Sequence, residues 1–476
     1  MFYNRAIKMK LYSLTKRQFV LVFVAFFSCI AFCAIIGLAG PSVIVSETKS
    51  MKALLPWNSS LSTTVHKVGS GSLSTFDQQL WLTCLIKLKG IEKGASFKLK
   101  FSVNVQILYE GSDNSHRPLS NRFSNHSREV MCEQWECDDF VVFHLGYVDY
   151  HSYVAIVAMS NFDSLPKGGE IDDVLFTYSH YNVNFTEVEI WFRFVFVVLT
   201  FMIACIYVHS LRRFPFRDWS IEQRWISVLL PLLLLFNDPI FPLHFLVKSW
   251  VPGMFQSMFR ATFLAAILLF WLCAFHGIRQ NERTFIEFYF PKILLVGLVG
   301  ISAFTITTWQ RYNELCDPAY QSKLDIANFT GFKIFFFVIA SVYLIYLIYL
   351  VAKAYSEIKG LPYFDIRLKF LTILMLVVVL VSFVFVLLRY GRTALQNNFI
   401  AELETTYKNT AEFLLFYGLL NFYLYTMSFV YSPARNALYD SFFKDNPSMS
   451  MINDSDDEDI YRKKASSKTS LNSEDE

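Results

Sequence analysis

The chain has 476 residues, of which 54% are hydrophobic, 17% aromatic and only 17% charged, against about 25% charged residues in a soluble domain. A content of 49 Phe excludes overall disorder, and 8 Cys are too sparse for a small disulfide scaffold. The formal net charge of +3 is too mild to point to nucleic acid.

Residues 1–18 are short and basic (Arg5, Lys8, Lys10, Lys16, Arg17), which predicts a cytosolic N-terminus. The run 19–39 carries no charge and has the length of a membrane helix, about 20 residues. It also has the make-up of a secretory signal with a passable cleavage site at Gly37-x-Ala39; its length and the nearby Pro41 favour retention as a signal anchor.

Residues 41–188 read as one soluble block on the lumenal or extracellular side. After a Ser/Thr-rich linker, Asn58 to Thr75, apolar and polar residues alternate from Phe97 to Ile107, the pattern of a strand with one dry face. Trp81–Leu88, Phe140–Leu145, Tyr153–Met159 and Val174–Val183 are further strands, and Gly111–Ser127 reads as a long loop. These predict an antiparallel β-sandwich. Cys84, Cys132 and Cys137 fall in it and Cys316 in a later lumenal loop; four cysteines allow three connectivities, and if all pair, Cys316 ties the β domain to the bundle. Sequons at Asn58, Asn125, Asn184 and Asn328 fall on the same predicted side and are candidate glycosylation sites. The acidic residues around Cys132 and Cys137 match no calcium loop, so no metal site is expected.

Seven more apolar runs follow, at roughly 190–210, 226–247, 254–275, 291–309, 333–352, 370–388 and 410–430, giving a bundle over 190–431. Lys and Arg are denser in the alternate loops 211–225, 276–292 and 353–369, which places those loops and the tail in the cytosol. Hydrolase, metalloprotease and phosphate-loop motifs are absent, so an enzyme is not expected, and no cofactor is called for. The informative segment is Asn237-Asp238-Pro239, with Pro242 beyond it, inside the third run. A charge at that depth costs about 2.5–3.5 kcal/mol, and such residues face the bundle interior beside a partner. The two prolines kink the helix and make room for a cavity. Depth matching along neighbouring helices names Arg260 as the partner. The tail 432–476 is too polar to fold and carries Ser455 among acids as a candidate phosphorylation site.

Asn237-Asp-Pro-Ile-Phe-Pro242, Phe270-Trp-Leu-Cys273 with His276-Gly-Ile-Arg279, Asn313-Glu-Leu-x-Asp-Pro318, Arg367-Leu-Lys-Phe-Leu-Thr372 and Asn421-Phe-Tyr-Leu-Tyr425 resemble the GOLD-domain seven-transmembrane, Wntless-like family. The resemblance is strong from about residue 225 to 460 and weak across 41–188. It implies an α+β membrane protein: a lumenal GOLD-like β-sandwich on a seven-helix bundle, preceded here by the anchor helix. It further implies a bundle cavity able to hold a lipid or acyl chain, and a role as carrier, chaperone or trafficking factor in the Golgi or at the plasma membrane. The partners implied are membrane lipid and secretory or membrane protein cargo, with no nucleic acid. The alternative is an orphan seven-helix receptor for an extracellular protein ligand, without the Asp-Arg-Tyr or Asn-Pro-x-x-Tyr motifs of rhodopsin-like receptors. A channel is third, since Asp238 alone is a poor selectivity ring.

Overall fold

The computed structural model describes residues 7–434, except for segments 53–64, 92–95, 120–123, 248–250, 280–283, 321–328, 359–361 and 391–406 and a few single positions. The candidate residues Asn58, Asn328 and Ser455, and nearly all of the predicted tail, lie outside the described residues.

The first helix, α1 (Lys16–Leu38), starts at a capping box in which Thr15 and Gln18 bond each other's backbone N–H, at 3.4 and 3.0 Å. It stops before Gly40-Pro41. Its seat is the last helix of the bundle, α9 (Thr410–Tyr431). Gly37 lies so close that a Cβ there would sit 2.3 Å from the Ala411 Cα, and one at Gly418 would meet the Cys33 Sγ at 3.0 Å. Close backbone approach through small residues is how helices pack in lipid, where apolar burial alone gives little. Gly37→Val should therefore lower the thermal midpoint in detergent, at a cost of about 1–3 kcal/mol. Gly69→Ala, with nothing within 4 Å of its new Cβ, is the matched control; equal midpoints would remove the seam.

Ten strands follow: β1 (Ile44–Ser50), β2 (Val65–Gly69), β3 (Leu80–Lys89), β4 (Ser96–Glu110), β5 (His116–Pro118), β6 (Ser124–Glu133), β7 (Glu136–Cys137), β8 (Phe140–Leu145), β9 (Tyr153–Ser160) and β10 (Glu170–Tyr181). All pairings are antiparallel, in the order β1-β10-β3-β7-β6-β4-β9-β2, with β8 also on β3 and β5 on β4. The two halves of this path fold face to face, and two-residue β7 carries the pairing from one to the other. Alternate residues point between the layers: Leu82 and Ile86 of β3, Phe101 and Val105 of β4, Val157 of β9 and Phe176 of β10 are all buried. Phe101 meets Phe140 at 5.3 Å, and the Tyr178 hydroxyl donates across the core to the Val68 carbonyl at 2.8 Å. The expected β-sandwich is thus present, its sheets joined at one side into a barrel-like whole. Two segments read as irregular contain strands: β2 lies in the supposed linker, and β5 and the start of β6 in the supposed loop. These three stretches are short or polar, so their alternation is weak.

Of the four candidate cysteines, Cys132 and Cys137 are bonded, closing the β6–β7 hairpin. Cys84 and Cys316 are not joined, so the disulfide clamp that pairing of all four would require is not present. Cys84 occupies an inward register position of β3 opposite Phe176 and is fully buried, where burial pushes its thiol pKa far up. The clamp exists by other means, just beyond Cys316. His126 meets Asp317 at 2.8 Å, Arg128 donates to the Ala319 carbonyl at 2.7 Å, and the His144 N–H donates to the Pro318 carbonyl at 2.9 Å. Ala319 is buried in the β-domain core. The sequons at Asn125 and Asn184 are exposed.

β10 runs straight into α2 (Val183–Leu211), with only Asn182 between them as N-cap. The boundary between domain and bundle therefore falls at Asn182, before the expected 188–190, because the first turns of α2 are polar. The bundle continues with α3 (Ile221–Phe236), the single turn α4 (Leu243–Leu246), α5 (Val251–Arg279), α6 (Phe290–Cys316), α7 (Phe329–Ile358), α8 (Pro362–Tyr390) and α9. Among the described residues seven helices are long and apolar enough to cross a membrane: α1, α2 and α5 to α9. The remaining predicted span, α3, stops after 16 residues. Outward residues such as Trp191, Phe201, Ile206, Ile345 and Ile348 are apolar and exposed, as a lipid-facing surface requires.

Candidate functional site

The third span ends where the sequence marks it. Asn237 closes α3, Asp238 turns the chain at a φ of 58°, Pro239 has no N–H to continue a helix, and Pro242 caps α4. This break lies at the end of the bundle that faces the β domain, where Phe245 stacks on Phe76 at 5.0 Å.

Asn237 is fully buried and fully used. It exchanges amide hydrogen bonds with Asn421 of α9, at 2.8 and 2.9 Å, and donates to Thr200 of α2 at 3.0 Å. Thr200 in turn meets the Tyr425 hydroxyl at 2.6 Å. A satisfied amide network of this kind fixes three helices against one another.

Asp238 faces a different group. Its carboxylate lies 3.7 Å from Arg193 of α2, and both side chains are almost completely buried. Arg193 also donates twice to Glu189, one turn back, at 3.0 and 2.6 Å. Its guanidinium lies between the rings of Phe241 at 4.2 Å and Tyr417 at 4.9 Å. The partner of Asp238 is therefore Arg193 and not the expected Arg260. Depth matching holds only for an unbroken third helix, and the break turns Asp238 towards α2. Arg260 is still brought to the cluster: with its amide oxygen turned inward, Gln256 of α5 accepts from Arg193 at 3.1 Å and from Arg260 at 2.8 Å. The sequence reading missed Glu189, Arg193 and Gln256. An opposite-charge pair at i, i+4 inside an otherwise apolar helix was the available signal.

The β domain reaches into the same cluster. Gln78, held at a φ of 53°, donates to Glu189 at 2.8 Å and to Thr186 at 3.0 Å. The turn that presents it is fixed by an ion pair of 2.7 Å between Asp77 and His180. Asp77 holds the His180 pKa above its ordinary value against the effect of burial; burial would raise the Asp77 carboxyl, but His180 and the Ser74 N–H bring it below its ordinary value. The histidine contribution is complete below its unfolded value of about 6.5 and is lost as pH rises through the folded value; the aspartate contribution is lost as pH falls through its depressed value. The turn is thus firmest in mildly acidic solution. His180→Gln should speed hydrogen exchange at Asp77 and Gln78 near pH 6, by about fivefold for a loss of about 1 kcal/mol, and have less effect at alkaline pH. A pH-independent difference would refute the linkage.

Several polar atoms of the cluster keep no hydrogen-bond partner although buried: Nη1 of Arg193, both carboxylate oxygens of Asp238 and the Tyr417 hydroxyl. Native proteins rarely leave such atoms unsatisfied, and the exceptions are accounted for by strain, a functional role, or a bound water or other group. Among the described residues no group of His, Cys, Asp and Glu is arranged to hold a metal.

Two family descriptions cover this architecture: "TMEM181, GOLD domain" matches residues 64–181, and "Wntless-like, transmembrane domain" matches residues 182–435. Human transmembrane protein 181 is 49% identical over 454 residues, 95% of this chain and 93% of that protein. The chain belongs to the transmembrane protein 181 family, within the Wntless-like membrane proteins. Human protein wntless homolog is 24% identical over 63% of this chain and 59% of its own length, and protein wntless of Drosophila persimilis is 24% identical over 63% of this chain. The family boundary between 181 and 182 coincides with the β10–α2 junction. Both halves of the site, Gln78 from the GOLD domain and the Glu189–Arg193–Asp238 group from the bundle, therefore come from different family modules.

Proposed function

We propose that the protein is a carrier or chaperone of the secretory pathway for membrane or lipid-modified cargo. Its GOLD domain lies in the lumen and both ends of the chain in the cytosol. The observation that carries the reading is the broken third span: it delivers unsatisfied donors and acceptors to the bundle mouth, directly beneath the β domain. Interrupted helices in membrane proteins place such groups where a substrate binds. The relation to proteins named wntless supports a cargo-handling role in the Golgi or at the cell surface.

Proximity labelling from the GOLD domain in intact cells tests this. A labelled set dominated by newly made secretory or lipid-modified proteins, reduced when Asp238 is replaced by Asn, supports the carrier. Stable surface residence with ligand-driven signalling and no such set supports the receptor alternative. The observation favouring that alternative is a buried ion pair at the opposite end of the bundle, between Glu222 of α3 and Arg367 of α8, whose rupture would reposition two helices.

A further inference from the structure

The charges of the cluster constrain what can enter it. Glu189 and Asp238 offset Arg193 and Arg260, so the group is formally neutral. A guest with net charge would leave an uncompensated charge in a dry site, which costs several kcal/mol. Fatty carboxylates, phosphatidic acid and phosphatidylserine are disfavoured on this ground.

The unsatisfied atoms go further. Arg193 Nη1 and the Tyr417 hydroxyl can donate, and the two Asp238 oxygens can only accept. The Ile240 N–H faces the Asp238 carboxylate without completing a hydrogen bond. Asp238 is 2% exposed and Arg193 2% exposed, so bulk water does not satisfy them. A complementary guest is neutral overall, carries N–H donors at one end and acceptor oxygens at the other. A quaternary ammonium has the charge but no N–H to give Asp238.

Depth agrees with a lipid source. Trp191 and Phe194, which flank Arg193 on α2, are 68% and 58% exposed. An outward Trp beside apolar neighbours marks the headgroup level of a leaflet. The cluster thus sits at the height of lipid headgroups in the leaflet next to the GOLD domain.

We infer that this cluster binds an ethanolamine phosphate group, its primary ammonium on the Asp238 carboxylate and its phosphate oxygens on Arg193 Nη1 and the Tyr417 hydroxyl. The inference rests on the reading of this site as a binding site and specifies what it selects. Phosphatidylethanolamine of the adjacent leaflet supplies the group; soluble phosphoethanolamine carries the same chemistry.

The test uses the full chain in nanodiscs of an equal mixture of phosphatidylethanolamine, its mono-, di- and trimethylated forms, and phosphatidylglycerol. Retained lipid is measured by native mass spectrometry. Retention should fall stepwise with methylation, to about tenfold less for the trimethylated form, and phosphatidylglycerol should be excluded. This series needs no variant, so a folding failure cannot obscure it. Asp238→Asn should flatten the series where it folds. Added phosphoethanolamine that displaces the lipid at equal concentration assigns the chemistry to a soluble source, and failure to displace assigns it to the lipid; both uphold the ammonium–phosphate site. Equal retention of all five lipids, or none with only ordered water in a density map, overturns it. Equal retention leaves the carrier reading standing, whereas a methylation series without cargo labelling leaves the headgroup site and removes the carrier.

Discussion

Replacing Arg193 with leucine should destabilise the protein by about 3–5 kcal/mol, the range for breaking a buried ion pair by removing one partner. The guanidinium answers two acids at once, Glu189 through two hydrogen bonds and Asp238 at 3.7 Å, and fills the space between Phe241 and Tyr417. Without it two carboxylates remain buried with Arg260 as the nearest cation. The measurement is the thermal midpoint of the detergent-solubilised chain by fluorescence-detected size exclusion. A companion variant, Glu189→Gln with Arg193→Leu, removes one stranded acid and should regain part of the loss. If Arg193→Leu matches the wild type, the cluster is not a structural keystone. Lysine should not substitute well, since it lacks the planar fork that serves Glu189 while stacking between rings.

Glu222→Gln should cost about 3 kcal/mol at the other end of the bundle, for the same reason with the sign reversed. Glu222 is fully buried in the first turn of α3 and Arg367 nearly so on α8, joined by two hydrogen bonds. Tyr12 of the N-terminal segment lies against the pair, and Gln223 beside it donates to the Tyr431 carbonyl at 2.9 Å. The exchange Glu222→Arg with Arg367→Glu should restore part of the stability. It should not restore all of it, because a cation then occupies a helix N-terminus that favours an acid. Midpoints for the two single variants and the exchange decide the matter: an exchange no better than either single change would dissolve the pairing.

Much of this architecture is legible in the residues. Long apolar runs have few other solutions, and alternation from Phe97 to Ile107 is a direct print of a sheet with one buried face. Asp238 stood out because a carboxylate is rare in such a run. What stayed hidden has identifiable causes. An apolar run that begins at 190 splits Glu189 from Arg193 and conceals a pair one turn apart. Arg367 was counted among loop charges, and nothing local links it to Glu222, 145 positions away. Cys84 looked like a disulfide half-cystine because sequence does not show that its register on β3 points inward. Asp238 was placed inside a continuous helix, whereas Asn237 and Pro239 end that helix and turn the carboxylate to a new neighbour.

The seam between α1 and α9 has a temporal meaning. The first span to leave the ribosome finds its seat only on the last. The N-terminal segment is held by the same final stretch: the Lys10 N–H donates to the Ser432 carbonyl at 2.9 Å, and Met9 bridges Pro433. Until α9 has been made, the Gly37 face has no seat. A chain stopped before α9 exposes that face, frees the N-terminal segment and strips Arg193 of the Tyr417 ring in one event. The contacts that seat α1, the N-terminal segment and Arg193 thus all wait on α9.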